Sequence, residues 1–78
     1  MNELVDDWMK AYDRGEYEKA VKIFTEILSK DPGLGFAYHY LAMCYKNLGL
    51  KDNCIEYAKK ALELDPENEL LKKLIEKL

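Results

Sequence analysis

The sequence has few of the residues from which catalytic and metal sites are built. It contains one histidine and two cysteines among 78 residues, and no glycine-rich phosphate loop or Ser or Cys nucleophile with a base at a helical spacing. Cys44 and Cys54 are too few for a disulfide framework, and they lack the Cys or His neighbours of a zinc site. We expect two buried free thiols, with a bridge between them as the alternative. The sequence therefore predicts no enzyme, no metal and no cofactor.

Long hydrophobic runs and an excess of positive charge are also missing. No apolar run approaches the roughly 18 residues of a membrane span, and Met1 leads into an acidic amphipathic segment rather than a signal peptide. The net charge of -3 disfavours nucleic acid as a partner. We expect a cytoplasmic protein that binds neither membranes nor nucleic acids.

What is present is typical of a small helical protein. Hydrophobic residues make up 49% of the chain and charged residues 35%, with two prolines and four glycines. A chain of 78 residues has room for one small core and not for a two-domain enzyme.

Glycine and proline recur at a fixed spacing along the chain. Gly15 and Gly49 are 34 residues apart, and Pro32 and Pro66 are separated by the same distance. A fixed period of this length indicates stacked structural units. We divide the chain into two units, 1–34 and 35–68, and a final segment, 69–78.

The apolar spacing within each unit predicts two helices. It follows the helical i, i+3, i+4, i+7 pattern on both sides of each glycine. We expect the glycines to end a helix in the left-handed conformation. We expect Asp65 to cap the last helix and Pro66 to open it, with the helix spanning about 67–77.

The second unit resembles a tetratricopeptide repeat. The matching residues are Tyr38-x-x-Leu41-Ala42-x-x-Tyr45-x-x-x-Gly49, followed by Ala58-x-x-Ala61-Leu62-Glu63-Leu64-Asp65-Pro66. Lys51 and Cys54 depart from the pattern in this unit, and Asp7 and Trp8 depart from it in the first. The resemblance implies an all-α fold: an α-solenoid of two antiparallel helix hairpins in one domain, 1–78, closed by a C-terminal solvating helix.

In this family the first helix of each repeat lines a concave groove in which peptides bind. The resemblance places the groove positions on Asn2, Val5, Asp6, Met9, Tyr12 and Asp13 in the first unit. In the second unit they are Phe36, His39, Tyr40, Met43, Lys46 and Asn47, with Lys73 and Lys77 bordering the groove from the last helix.

Helical spacing separates two apolar stripes on the segment 35–48. One stripe, Tyr38, Leu41, Ala42 and Tyr45, should face the partner helix of its own hairpin. The other, Phe36, His39, Tyr40 and Met43, either packs against neighbouring helices or forms an adaptable binding surface. For His39, we expect a groove or packing role, with a pH switch as the alternative.

The function predicted is a protein-interaction module that binds an apolar or amphipathic peptide or helix in this groove. The acidic residues Asp6 and Asp13 favour a partner with a basic edge. A clamp for the carboxylate end of heat-shock chaperones is not expected, because its positions are Val5, Met9, Tyr40, Leu70 and Leu74 here. The alternatives are a homodimer built from exposed apolar faces, or an excised part of a longer repeat scaffold.

Overall fold

The protein is a stack of antiparallel helices. The computed structural model describes the backbone of residues 3–77 and the side chains of residues 8–77. Within that part of the chain there are five α-helices and no β-strand. They are α1 (Glu3–Asp13), α2 (Tyr17–Lys30), α3 (Gly35–Asn47), α4 (Lys51–Leu64) and α5 (Glu69–Lys77). The predicted all-α solenoid is confirmed.

Glycine ends the first helix of each hairpin, as the spacing predicts. Gly15 and Gly49 both have a φ of 78°, in the left-handed region where a Cβ is disfavoured. The Gly15 N–H donates to the Tyr12 carbonyl at 3.1 Å, and the Glu16 N–H donates to the Ala11 carbonyl at 2.9 Å. This pair of bonds is the Schellman motif, which satisfies the last carbonyls of α1 and turns the chain.

The prediction that proline opens the following helix is wrong. Pro66 and Glu67 lie in a turn, and α5 begins at Glu69 rather than at residue 67. The N-cap of α5 is Asn68, whose Oδ1 accepts the Leu71 N–H at 3.2 Å, instead of Asp65. An asparagine side chain is a good acceptor for the N–H groups of a first helical turn, and its position decides where the helix starts.

Two apolar clusters hold the stack together, and α3 contributes to both. The first lies among α1, α2 and α3 and contains the buried residues Trp8, Ala11, Ala20, Ile23, Phe24, Ile27, Ala37, Leu41 and Cys44. The second lies among α3, α4 and α5 and contains Ala42, Cys54, Ala58, Ala61, Leu71 and Leu74. Because α3 is covered on two faces, it carries little polar surface.

The stripe of α3 expected to face α4 does so with one exception. Tyr38 and Tyr45 stack on Tyr57 of α4, with ring centroids 6.3 and 5.4 Å apart. The Tyr38 hydroxyl also donates to the Pro32 carbonyl at 3.0 Å, which ties α3 to the turn before it. Leu41 differs, because it packs in the first cluster, toward α1 and α2.

Both cysteines are buried free thiols, as expected, and each belongs to a different cluster. Burial raises the pKa of the Cys44 thiol to about 11 and raises the pKa of Cys54 as well. Protonated, enclosed thiols behave as small apolar groups, so their role here is packing.

Candidate functional site

The concave surface between α3 and α5 contains two adjoining depressions, which we call together the α3–α5 crevice. The first has a volume of about 330 Å³ and lies at the start of both helices. It is lined by Gly35, Phe36, His39, Tyr40, Ala61, Asp65, Asn68, Leu70 and Leu71. This volume is at the lower end of the range for small-molecule pockets.

The second depression lies toward the ends of the same two helices. Its volume is about 210 Å³, and it is lined by His39, Met43, Lys46, Leu70, Leu71, Lys73, Leu74 and Lys77. Leu71 and Leu74 form a buried apolar floor, with exposures of 1% and 7%, whereas Leu70 is 71% exposed. A shallow apolar depression with an exposed leucine beside it suits the side chains of a protein segment better than a small molecule.

Aromatic packing accounts for one side of the crevice. The Tyr40 ring lies 4.6 Å from Trp8, 5.4 Å from Tyr12 and 6.1 Å from Phe24, measured between centroids. Phe36 extends this group, 6.1 Å from Trp8, and remains 38% exposed. Such tilted and edge-on pairs add stability beyond the burial of their area. The α3 side of the crevice is therefore packed against both α1 and α2.

His39 joins the two depressions and is half-buried. Its Nδ1 lies 3.4 Å from the Nδ2 of Asn68, the residue that caps α5. The Asn68 amide donates in this contact when the imidazole is neutral and protonated on Nε2. Burial lowers the pKa of His39, and the negative charge of Asp65 opposes that shift in part. The neutral form is thus the one that fits the crevice.

The structure brings seven of the residues predicted to line or border the groove to the crevice. They are Phe36, His39, Tyr40, Met43, Lys46, Lys73 and Lys77. Met9 is 49% exposed on α1 but does not line either depression. Tyr12 is half-buried against Tyr17 and Tyr40.

Two further predicted positions with described side chains, Asp13 and Asn47, line neither depression. Asp13 is exposed at the end of α1. Asn47 uses its side chain to donate to the Met43 carbonyl at 2.8 Å, which closes the end of α3. Asn2 and the side chains of Val5 and Asp6 lie outside the described residues.

Sequence reasoning missed most of the α5 side of the crevice, although the repeat period contained the signal. Leu70 and Leu74, which were not among the predicted groove residues, lie 34 residues after Phe36 and Tyr40. Helix α5 therefore continues the register of α3. Groove positions transferred by one more period would have identified these residues.

Neither metal binding nor membrane insertion has support in the described part of the chain. No group of three or more His, Cys, Asp or Glu side chains there could hold a metal ion. None of the described helices is long and apolar enough to cross a bilayer.

Comparison with known proteins gives the family. A tetratricopeptide repeat profile matches residues 35–68, and a second tetratricopeptide repeat profile matches residues 8–33. Hsp70-Hsp90 organizing protein 1 from Glycine max is 34% identical over 55 residues, which cover 70% of this chain. The matched segment spans 10% of the length of that relative. Because both hairpins match the same repeat and the helices stack in the expected order, the chain belongs to the tetratricopeptide repeat family.

Proposed function

We propose that this chain is a non-catalytic, cytoplasmic protein-interaction module whose α3–α5 crevice binds an apolar or amphipathic segment of a partner protein. The single observation that carries the proposal is the crevice itself. Its floor of Leu71 and Leu74 is preformed and packed, and Leu70 stands beside it with 71% of its surface in water. Burying that leucine under a partner side chain would contribute about 1.5–3 kcal/mol to binding.

The aromatic wall supports the same proposal. Tyr40 is fixed by Trp8, Tyr12 and Phe24, so the binding of a segment needs little reordering of this side of the crevice. A preorganised surface avoids part of the entropy that binding otherwise costs. Met43, half-buried at the centre, gives the opposite property, because its flexible thioether adapts to partner side chains of different shapes.

Binding of a chaperone tail through its terminal carboxylate is not part of this proposal, although the matched relative is named as an Hsp70-Hsp90 organizing protein. Four of the five positions that would form such a clamp have described side chains. Met9, Tyr40, Leu70 and Leu74 offer neither an ammonium, a guanidinium nor an amide. The four clamp positions themselves therefore supply no charge-assisted donor to a terminal carboxylate.

The test of the crevice uses peptides selected on the wild-type protein from a displayed library of random sequences. Binding of the best peptides is measured by fluorescence anisotropy to the wild type and to two variants, Leu70→Glu and Leu50→Glu. Leu50 is a matched control, because it is 47% exposed and lines neither depression. We expect Leu70→Glu to weaken binding about tenfold or more, and Leu50→Glu to leave it unchanged.

Circular dichroism establishes that both variants are folded before binding is compared. Equal affinity for the wild type and Leu70→Glu would contradict the proposal. Failure to select any binding peptide would contradict it as well.

A further inference from the structure

One end of the α3–α5 crevice carries three positive charges. Lys46, Lys73 and Lys77 line the second depression, and no Asp or Glu lines it. Among the residues that the structure describes, the two ion pairs are Lys60 with Glu56 and Lys72 with Glu69, and neither includes one of these three lysines. This lysine rim is a positive patch on a protein whose net charge is -3.

The lysine rim carries more positive charge than the negative ends of the neighbouring helix dipoles can offset. Lys46 and Lys77 lie in the last turns of α3 and α5, where a cation is favourable beside the negative end of the helix dipole. Each helix end is equivalent to about half a negative charge, so the two ends together offset only about one of the three lysines. A surplus of about two positive charges remains at this end of the crevice.

Apolar atoms lie directly inside the rim. Met43 and Leu74 form the floor between the lysines, and Leu70 separates this end from the first depression. The acidic residue of the crevice, Asp65, lines only the first depression. The crevice therefore has apolar residues along its length, Asp65 at one end and the three lysines at the other, and this asymmetry favours one direction of a bound segment.

We propose that the occupant of the crevice is an amphipathic segment of a partner protein that carries Asp or Glu side chains beside its apolar ones. Its apolar side chains contact Leu70, Met43 and Leu74, and its carboxylates pair with the lysine rim. This inference rests on the function proposed above and adds the charge of the partner and the direction of the bound segment. It concerns side-chain carboxylates along the segment, since lysines at a rim bind as separate point charges and do not form a bidentate clamp.

The prediction of a basic edge on the partner concerned a different part of the concave surface. It was based on Asp6 and Asp13, and Asp13 lies at the end of α1 and lines neither depression. Asp13 and the lysine rim therefore lie at different places on the molecule. The lysine rim determines which charge is favoured on the segment that occupies the crevice.

The first arm of the test is the composition of the selected peptides. The displayed library has a random internal sequence and a blocked C-terminus, so terminal carboxylates do not contribute. We expect the enriched peptides to contain apolar residues together with Asp and Glu, in excess of the unselected library. Enrichment of Lys and Arg, or of apolar residues alone, would overturn the charge inference and leave the proposed function standing.

The second arm measures the rim directly. The best amidated peptide is titrated against the wild type, the double variant Lys46→Gln/Lys73→Gln and the control Lys19→Gln/Lys22→Gln, whose lysines are exposed on α2. We expect the rim variant to bind about tenfold more weakly at low salt, and the control variant to bind as the wild type does. The difference should shrink as salt is raised, because exposed charges are screened.

Each outcome bears on one claim. Equal binding by the wild type and the rim variant overturns the charge inference, whereas insensitivity to Leu70→Glu overturns the crevice itself. Concentration-dependent self-association in sedimentation, lost in the rim variant, would mean that a second copy of this chain occupies the site, and would overturn the proposal of a separate partner. The single tryptophan, Trp8, is buried and reports by its emission that every variant is folded.

Discussion

His39 and Asn68 share a hydrogen bond on which the start of α5 depends. The Asn68 amide uses its oxygen to cap the Leu71 N–H at 3.2 Å and its nitrogen to contact His39 Nδ1 at 3.4 Å. Protonation of Nδ1 would place two donors face to face. To relieve this, the amide must rotate, and its oxygen then leaves the first turn of α5. The charge of one imidazole is thus coupled to the cap of a helix.

This coupling predicts a loss of stability in mild acid. Burial lowers the pKa of His39 below its ordinary 6.5, so the unfolded chain takes up the proton at a higher pH than the folded one. The contribution of neutral His39 is complete above pH 6.5 and is lost as the pH falls from there toward the folded pKa. The negative charge of Asp65 opposes this lowering of the His39 pKa only in part.

Urea unfolding at pH 7.5 and 5.5 measures the effect. His39 is the only histidine, so no other side chain has an ordinary pKa in this window. We expect the wild type to lose more stability than His39→Gln over the same interval. Identical pH dependence of the two proteins would show that the imidazole titrates without affecting the fold.

Trp8 allows a second prediction at the scale of one residue. Its ring packs on Phe24 and Tyr40, at 4.9 and 4.6 Å, and its Nε1 is buried without a hydrogen-bond partner among the described residues. Trp8→Phe removes no hydrogen bond and keeps an aromatic ring, so we expect a loss of about 1 kcal/mol or less. Trp8→Ala should cost about 3–5 kcal/mol. Urea unfolding followed by circular dichroism compares them, and a Phe variant as unstable as the Ala variant would reveal a partner for the N–H.

At the scale of the helix, the turn glycines set where each hairpin bends. Gly49 has a φ of 78°, and a Cβ placed on it would meet no atom within 4 Å. The cost of Gly49→Ala is therefore backbone strain alone, which we expect to be about 1–2 kcal/mol. Gly33→Ala is the matched control, because its φ is not in the left-handed region and its Cβ would make an ordinary contact at 3.7 Å with Asp31. Thermal unfolding should separate the two variants, and equal melting temperatures would contradict this account of the turn.

Helices and turns were the part of the fold that could be predicted from the sequence. Gly15 and Gly49 follow a local rule of backbone geometry, and the apolar spacing follows from the pitch of a helix. The start of α5 could not be predicted in the same way, because Asp65 and Asn68 are both good caps. In the structure Asn68 caps α5, and Leu71 and Leu74 are then buried against α3 and α4.

The candidate site, like the fold, could be predicted from the sequence only in part. The helical spacing correctly predicted that Phe36, His39 and Tyr40 lie on one face of α3. It could not show that Tyr40 is held by Trp8 and Tyr12, since such contacts join residues far apart in the sequence. Nor could it show that Asp13 stays outside the crevice, because side-chain pattern alone does not fix how α1 and α3 are positioned. The distribution of charge around the site is therefore a property of the packed structure.

At the scale of the whole molecule, the fold is a short row of interfaces rather than one enclosed core. The molecule measures 34 × 25 × 17 Å along its principal axes, with a radius of gyration of 11.8 Å. Its two clusters meet at α3, which contributes buried residues to both, and Tyr57 of α4 packs against both. Stacked repeats of this kind open locally at the end where least apolar surface is buried.

The two thiols make this local opening measurable. Cys54 belongs to the cluster that α5 covers with Leu71 and Leu74, and α5 has only nine residues. Cys44 belongs to the larger cluster beneath α1 and α2. We expect Cys54 to react first with a disulfide reagent at pH 8, followed by peptide mass spectrometry. Leu71→Ala should increase the modification rate of Cys54 more than that of Cys44. Equal modification rates at the two cysteines would indicate that the whole chain opens at once.

One face of α5 is charged where the corresponding face of α3 is not. One period after Tyr38 and Ala42, which pack toward α4, come Lys72 and Glu76, and both are exposed. Lys72 already pairs with Glu69 on its own helix, at 3.7 Å. A further helix laid against this face would have to strip water from these charges, which costs more than the contacts return. Helix α5 thus repeats the positions by which α3 lines the crevice and carries charge at the positions by which α3 packs toward α4, so this face of α5 suits contact with water.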